Sequence, residues 1–176
     1  MSAPAEPLPR LAVELGYPAG APERLLQALT HPSYAHEHPP AASNETLAFL
    51  GDAVLSLVVA HRLVIQAPAA GPGVLTSRRA EAVSDRHLAD AARALGLGEC
   101  LRLGRGEERR GGRAKDSVLA TALEAIIGAL YLDGGLGLVE PLVTRLLDGA
   151  AARAEATGSP LTAGPAVPGA DRGADP

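Results

Sequence analysis

The chain is poor in the residues that anchor many kinds of site. Its 176 residues include one cysteine, one lysine, one phenylalanine, three tyrosines and no tryptophan. A lone thiol forms neither an internal disulfide nor a cysteine-rich zinc site, so Cys100, beside Leu101, reads as a small packed hydrophobe in a reducing compartment. Aromatics make up 2% of a chain that is 47% hydrophobic, which leaves the core to aliphatic side chains. The 35 alanines and 27 leucines favour helix, point to an all-α fold and exclude an all-β sandwich. Acids outnumber bases for a net charge of -4, so a polyanionic partner must meet a local basic patch rather than a global positive field. No apolar run is expected to reach the roughly 18 to 20 residues of a membrane span, and Met1 to Arg10 lacks the basic and then apolar start of a secretory signal. The expected setting is cytoplasmic, with no membrane partner.

Proline and glycine divide what remains. Residues 1–20 read as a flexible segment, 21–148 as one domain, and 149–176, mostly Ala, Gly and Pro, as a disordered tail. Helices are expected over 11–15, from Pro22 through Leu29, over 44–66, 76–83, 85–95, 116–132 and 138–147. The stretch 31–42 holds three prolines and three histidines (His31, His36, His38) and reads as a loop. With no cysteine and no acid besides Glu37 nearby, those histidines do not make a zinc site. Residues 104–112 read as a charged, glycine-rich loop.

The carboxylates raise the question of chemistry. Glu45 and Asp52 lie seven apart, two turns along one face of the long helix, and the position between them is Ala48. On the later helix Glu124 follows Thr121 by three, inside an otherwise apolar run, where a carboxylate needs water or a positive partner. Spacing alone leaves two readings open. Glu45 is either a first-turn acid answering the helix dipole or part of a site, and Glu124 is either a solvated edge residue or a ligand.

A resemblance adds to this. The segment Asn44-Glu45-Thr46-Leu47-Ala48-Phe49-Leu50-Gly51-Asp52 resembles the signature helix of the ribonuclease III family, where a run of the form ERLEFLGD carries catalytic acids. Ala28-Leu29-Thr30-His31-Pro32-Ser33-Tyr34 is similar to the family's loop before that helix. Lys115-Asp116-Ser117-Val118-Leu119-Ala120-Thr121-Ala122-Leu123-Glu124, continuing to Gly135, is similar to its second acidic helix. The likeness runs from about Leu25 to Leu147 in the family's order.

The resemblance implies an all-α endonuclease domain that forms a homodimer along its signature helices and holds double-stranded RNA in the valley between them. It also implies four acids around magnesium, with manganese as a substitute. The second acid of each pair is present as Asp52 and Glu124, the expected metal ligands, and Glu45 matches a further catalytic acid. The first of each pair is replaced by Ala48 and Thr121, and another family acid falls near Pro72. Magnesium is often held by one or two carboxylates plus water and phosphate, whereas a two-metal clamp is harder to assemble from two acids than from four. Hydrolysis is therefore expected to be weak or absent. The alternative is an inactive RNA-binding or dimerisation module. Arg79 matches a basic residue of the family, and Arg105, Arg109, Arg110, Arg113 and Lys115, with Arg102, form the one dense basic cluster available for phosphates. Phe49 matches a position on the dimerising helix. Many bacterial members carry a separate RNA-binding domain after this one, and only residues 149–176 stand there in this chain.

Overall fold

Proline sets the starts of several helices in the computed structural model, which describes residues 7–17 and 22–156. In chain order these are α1 (Pro7–Leu15), α2 (Pro22–Ala28), α3 (Pro32–Glu37), α4 (Glu45–Gln66), α5 (Pro72–Ala82) and α6 (Asp85–Ala94). There follow α7 (Leu97–Cys100), α8 (Arg105–Arg109), a 3-10 turn at Gly112–Ala114, α9 (Asp116–Gly134) and α10 (Leu136–Ala156). Pro7, Pro22, Pro32 and Pro72 each open a helix, where the missing N–H has no intrahelical partner to lose. The fold is all-α, and the one β-type pairing among the described residues is an isolated bridge between Thr30 and Arg102.

The core is wound around α9, which between Val118 and Leu130 is apolar on most of its surface, Thr121 and Glu124 being the polar exceptions. Leu119, Leu123, Ile126, Ile127 and Leu130 are almost wholly removed from water. A helix apolar on most of its surface belongs at the centre of a bundle, and α9 packs against α2, α4, α6 and α10. Its closest approach is to α4, at Gly51 and Gly128. A Cβ on Gly51 would meet the Glu124 carbonyl and lie 2.9 Å from the Gly128 nitrogen, and a Cβ on Gly128 would meet the Leu47 carbonyl and lie 3.1 Å from the Gly51 nitrogen. The two backbones touch, and only glycine allows it.

α4 has a second apolar face. Leu47, Val54, Leu55, Val58 and Val59 turn to the core, but Phe49 (84% exposed), Leu57 (56%) and Val64 (52%) stand on the opposite side in water. Beside them α5 contains no buried residue, and its Val74 is exposed.

Several boundaries differ from the sequence expectations. Residues 32–37 form α3 rather than loop, because Pro32 opens the turn and the His31 Nδ1 accepts from the Ser33 N–H at 3.2 Å. Residues 105–109 form α8, tied down by pairs from Glu107 to Lys115 and from Glu108 to Arg113. Leu11 and Leu15 of α1 are core residues, so the part of 1–20 that is described is packed. α5 starts at Pro72 rather than Thr76, and α10 runs to Ala156, into the alanine-rich stretch expected to be disordered. Residues 1–6, 18–21 and 157–176, on which the rest of the expected flexible segment and disordered tail falls, lie outside the described residues. By length and hydropathy α4 and α9 are each sufficient to cross a membrane, contrary to expectation. However, 61% of the α9 window is buried inside the domain, and α4 carries Glu45 and Asp52.

Gly51→Ala should destabilise the domain by about 3 kcal/mol in urea unfolding, because overpacking at backbone contact outweighs the roughly 1 kcal/mol that alanine gains over glycine in an open helix.

Candidate functional site

The first turn of α4 is pinned from behind. Asn44, 1% exposed, does not use its side chain to cap α4. Its backbone N–H donates to the Thr30 carbonyl at 2.9 Å, and its side-chain amide donates to the Ala28 carbonyl at 3.3 Å. That fixes Glu45, which is exposed and accepts a hydrogen bond from the Ser43 hydroxyl at 2.9 Å. Two turns on, Asp52 is exposed, next to the glycine that touches α9. The Gly51–Gly128 crossing thus sets Asp52 beside the segment of α9 that holds Glu124.

Glu124 is partly buried, and its carboxyl is pushed up to about 7, by burial first and then by the negative charges of Asp52 and Asp85. Asp85, in the first turn of α6, is a third acid that the sequence marks only as the start of a helix. Its nearness comes from the packing of α6 on α9, which no local pattern in the sequence announces. Among the described residues no cation offsets these charges at Glu124.

Ala48 is buried, 7% exposed, and Thr121 is half-buried. The acid pair is therefore flanked by a methyl group and a neutral hydroxyl. Among the described residues no three of His, Cys, Asp and Glu come close enough together to hold a metal ion. Asp52 and Glu124 do not fit the four-acid, two-metal centre that the resemblance implies, because half of the oxygen donors and their charge are missing.

The basic residues divide into two groups. Arg113 donates to Glu108 at 2.7 Å and to the carbonyls of Gly98 and Leu101 at 2.8 Å each. Lys115 pairs with Glu107, which holds that carboxyl below the usual range. Both residues shape the turn into α9. Arg105, Arg109 and Arg110 are exposed, and their side chains make no hydrogen bond or ion pair among the described residues; Arg79 on α5 is likewise exposed. Lys115 immediately precedes α9, and Glu124 lies eight residues into that helix, so about 12 Å of rise separates the basic turn from the acid pair.

The chain matches the family model described as Ribonuclease-III-like over residues 22–148. It is 52% identical over 141 residues to Ribonuclease 3 of Thermobifida fusca, an alignment covering 80% of this chain and 59% of the relative. To Ribonuclease 3 of Heliobacterium modesticaldum it is 46% identical over 147 residues, covering 82% of this chain and 63% of the relative. It thus spans about 60% of the length of these relatives. The fold superposes on the nuclease domain of ribonuclease III from Campylobacter jejuni, in a structure described as showing flexibility in the region involved in dimer formation. The TM-score is 0.75 at 37% identity, covering 80% of this chain and 96% of that one.

Glu124 stays protonated in the folded chain across the window from about 4.5 to about 7 in which the unfolded chain ionises it, so its contribution to stability falls as pH rises through that window. Glu124→Gln should raise the melting temperature at pH 8 by roughly 2–4 °C, the shift that about 1 kcal/mol gives in a domain of this size, and by little at pH 4. Differential scanning fluorimetry at the two pH values checks it.

Proposed function

The chain belongs to the ribonuclease III family, and from that premise we propose that it is a cytoplasmic, double-stranded-RNA-binding homodimer whose metal centre is depleted, with hydrolysis weak or lost. The observation that carries this reading is the pair of side chains beside the acids. Ala48 offers no oxygen, and Thr121 offers one without charge, at the two positions where the resemblance places carboxylates. Magnesium or manganese would then meet at most Asp52 and Glu124, and would bind weakly. Glu45 keeps its place at the start of α4, exposed on the surface that a duplex would approach.

RNA binding on this reading rests on phosphate contacts from Arg79, Arg105, Arg109 and Arg110, with Arg113 and Lys115 holding the basic turn in shape. The homodimer reading rests on α4. Its Phe49, Leu57 and Val64 face water while α5 buries nothing, and a second copy laid against this face would cover both. Phe49 lies three residues before Asp52, so each partner's acids would sit at the edge of the shared surface.

Wild-type protein should bind duplex RNA in a salt-sensitive manner and cleave it slowly or not at all with magnesium or manganese. Ala48→Glu combined with Thr121→Asp should raise the metal-dependent cleavage rate by about 100-fold or more, each order of magnitude being about 1.4 kcal/mol of barrier. Wild-type cleavage as fast as the double variant's would overturn the depleted-site reading, and no duplex binding at low salt would overturn the RNA reading.

Phe49→Asp should leave the fold intact, because the side chain is 84% exposed, and should convert a dimer to a monomer in sedimentation velocity. A wild-type monomer at tens of micromolar would count against the homodimer.

A further inference from the structure

We infer that His38 is the outer layer of a stacking platform for an unpaired nucleobase at the end or flank of a bound RNA. The inference rests on the RNA-binding reading above but concerns a different part of the molecule from the acid pair.

The platform is a column of three planar groups. The Arg102 guanidinium lies over the Tyr34 ring at 4.2 Å from its centroid. On that same tyrosine stacks the His38 imidazole, 4.0 Å away and tilted by only 12°. Each layer is held from the side. Arg102 donates to the Tyr34 hydroxyl at 2.8 Å and reaches the Thr30 hydroxyl at 3.4 Å. Thr30 is fully buried, and its segment is joined to that of Arg102 by backbone hydrogen bonds from His31 to Arg102 at 3.0 Å and from Arg102 to Leu29 at 2.9 Å. The His38 Nδ1 donates to the Tyr34 carbonyl at 3.0 Å, which sets the plane of the ring.

The column is anchored in the core at one end and exposed at the other, since Thr30 is buried and His38 lies in water. Holding an imidazole flat on a tyrosine at the surface adds nothing to the core. It does pre-order a planar face, so that a base stacking on it loses little side-chain freedom of the protein. Bases stack on aromatic and guanidinium planes when they are unpaired, not when they are inside a duplex.

The surroundings suit a nucleotide. Glu37, next in sequence, is engaged by the Arg105 backbone N–H at 2.9 Å, and the Gly104 N–H donates to the Ser33 hydroxyl at 2.9 Å. These bonds lock α3 to α8 and tie the Arg105 backbone to Glu37, the neighbour of His38, so that the exposed Arg105 side chain is available to the phosphate of the stacked nucleotide.

The test uses the full chain with a blunt RNA duplex, the same duplex carrying a short single-stranded extension, and the extension strand alone, each single-stranded segment labelled with a fluorescent adenine analogue that is quenched on stacking. The extension should tighten wild-type binding about fivefold or more and quench the analogue. His38→Ala should abolish both effects without changing affinity for the blunt duplex, and His38→Phe should keep them. Equal affinity for blunt and extended duplexes, or quenching that survives His38→Ala, overturns the platform and leaves the duplex-binding reading standing. Failure to bind the blunt duplex, with His38-dependent quenching of the single strand retained, overturns the duplex reading and supports the platform. No binding of any of the three RNAs overturns both.

Discussion

The touching backbones of α4 and α9 at Gly51 and Gly128 fix the rest of the structure. Helices usually pack with axes about 8–10 Å apart because side chains keep them separated. Here two glycines remove that spacer, and the Leu47 and Glu124 carbonyls occupy the space that side chains would fill. The contact sits at the residue before Asp52 and four residues after Glu124, so the chain cannot form its central crossing without bringing those two acids to the same side of the domain. Because α9 fills the centre of the bundle, α4 packs one face on it, and the remaining apolar face of α4 is left in water.

The electrostatics follow from that placement. Glu124 is drawn partly out of water and faces the charges of Asp52 and Asp85, so its ionised form is disfavoured twice over, by burial and by like charge. The basic turn between α8 and α9 shows the opposite arrangement. There Glu107 and Glu108 neutralise Lys115 and Arg113, and the turn is held in shape at the expense of two of its five positive charges. The domain thus leaves the acids around Glu124 without a cation among the described residues, while it pairs those of the basic turn.

The sequence exposed this fold unevenly. α4 and α9 were legible because three-and-four spacing of leucine, isoleucine and valine runs through both, and the same helical period put Glu45 with Asp52 and Thr121 with Glu124. The two apolar faces of α4 were also legible, from Phe49 and Leu57 standing off the stripe made by Leu47, Val54 and Val58. The short helices were not. α3 and α8 are stabilised by contacts from far along the chain, Ser33 to Gly104 and Glu37 to Arg105, while local propensity argues against both, three prolines around α3 and the glycines around α8. For the same reason Tyr34 and His38, a helical turn apart, could not be seen as a stacked pair. Asp85 escaped as a neighbour of Glu124, and Arg113 and Lys115 looked as available as Arg105, because which charges meet is decided by tertiary packing.

α5 bears on how the domain becomes ordered. A helix of eleven residues is marginal by itself in water and owes its persistence to what it buries. α5 buries no residue in this chain, so its backbone hydrogen bonds are among the least protected in the molecule and would exchange their amide hydrogens early. In the homodimer proposed above, a second copy covering the exposed face of α4 would also shelter α5, and helix formation and association would then be coupled in a single cooperative step.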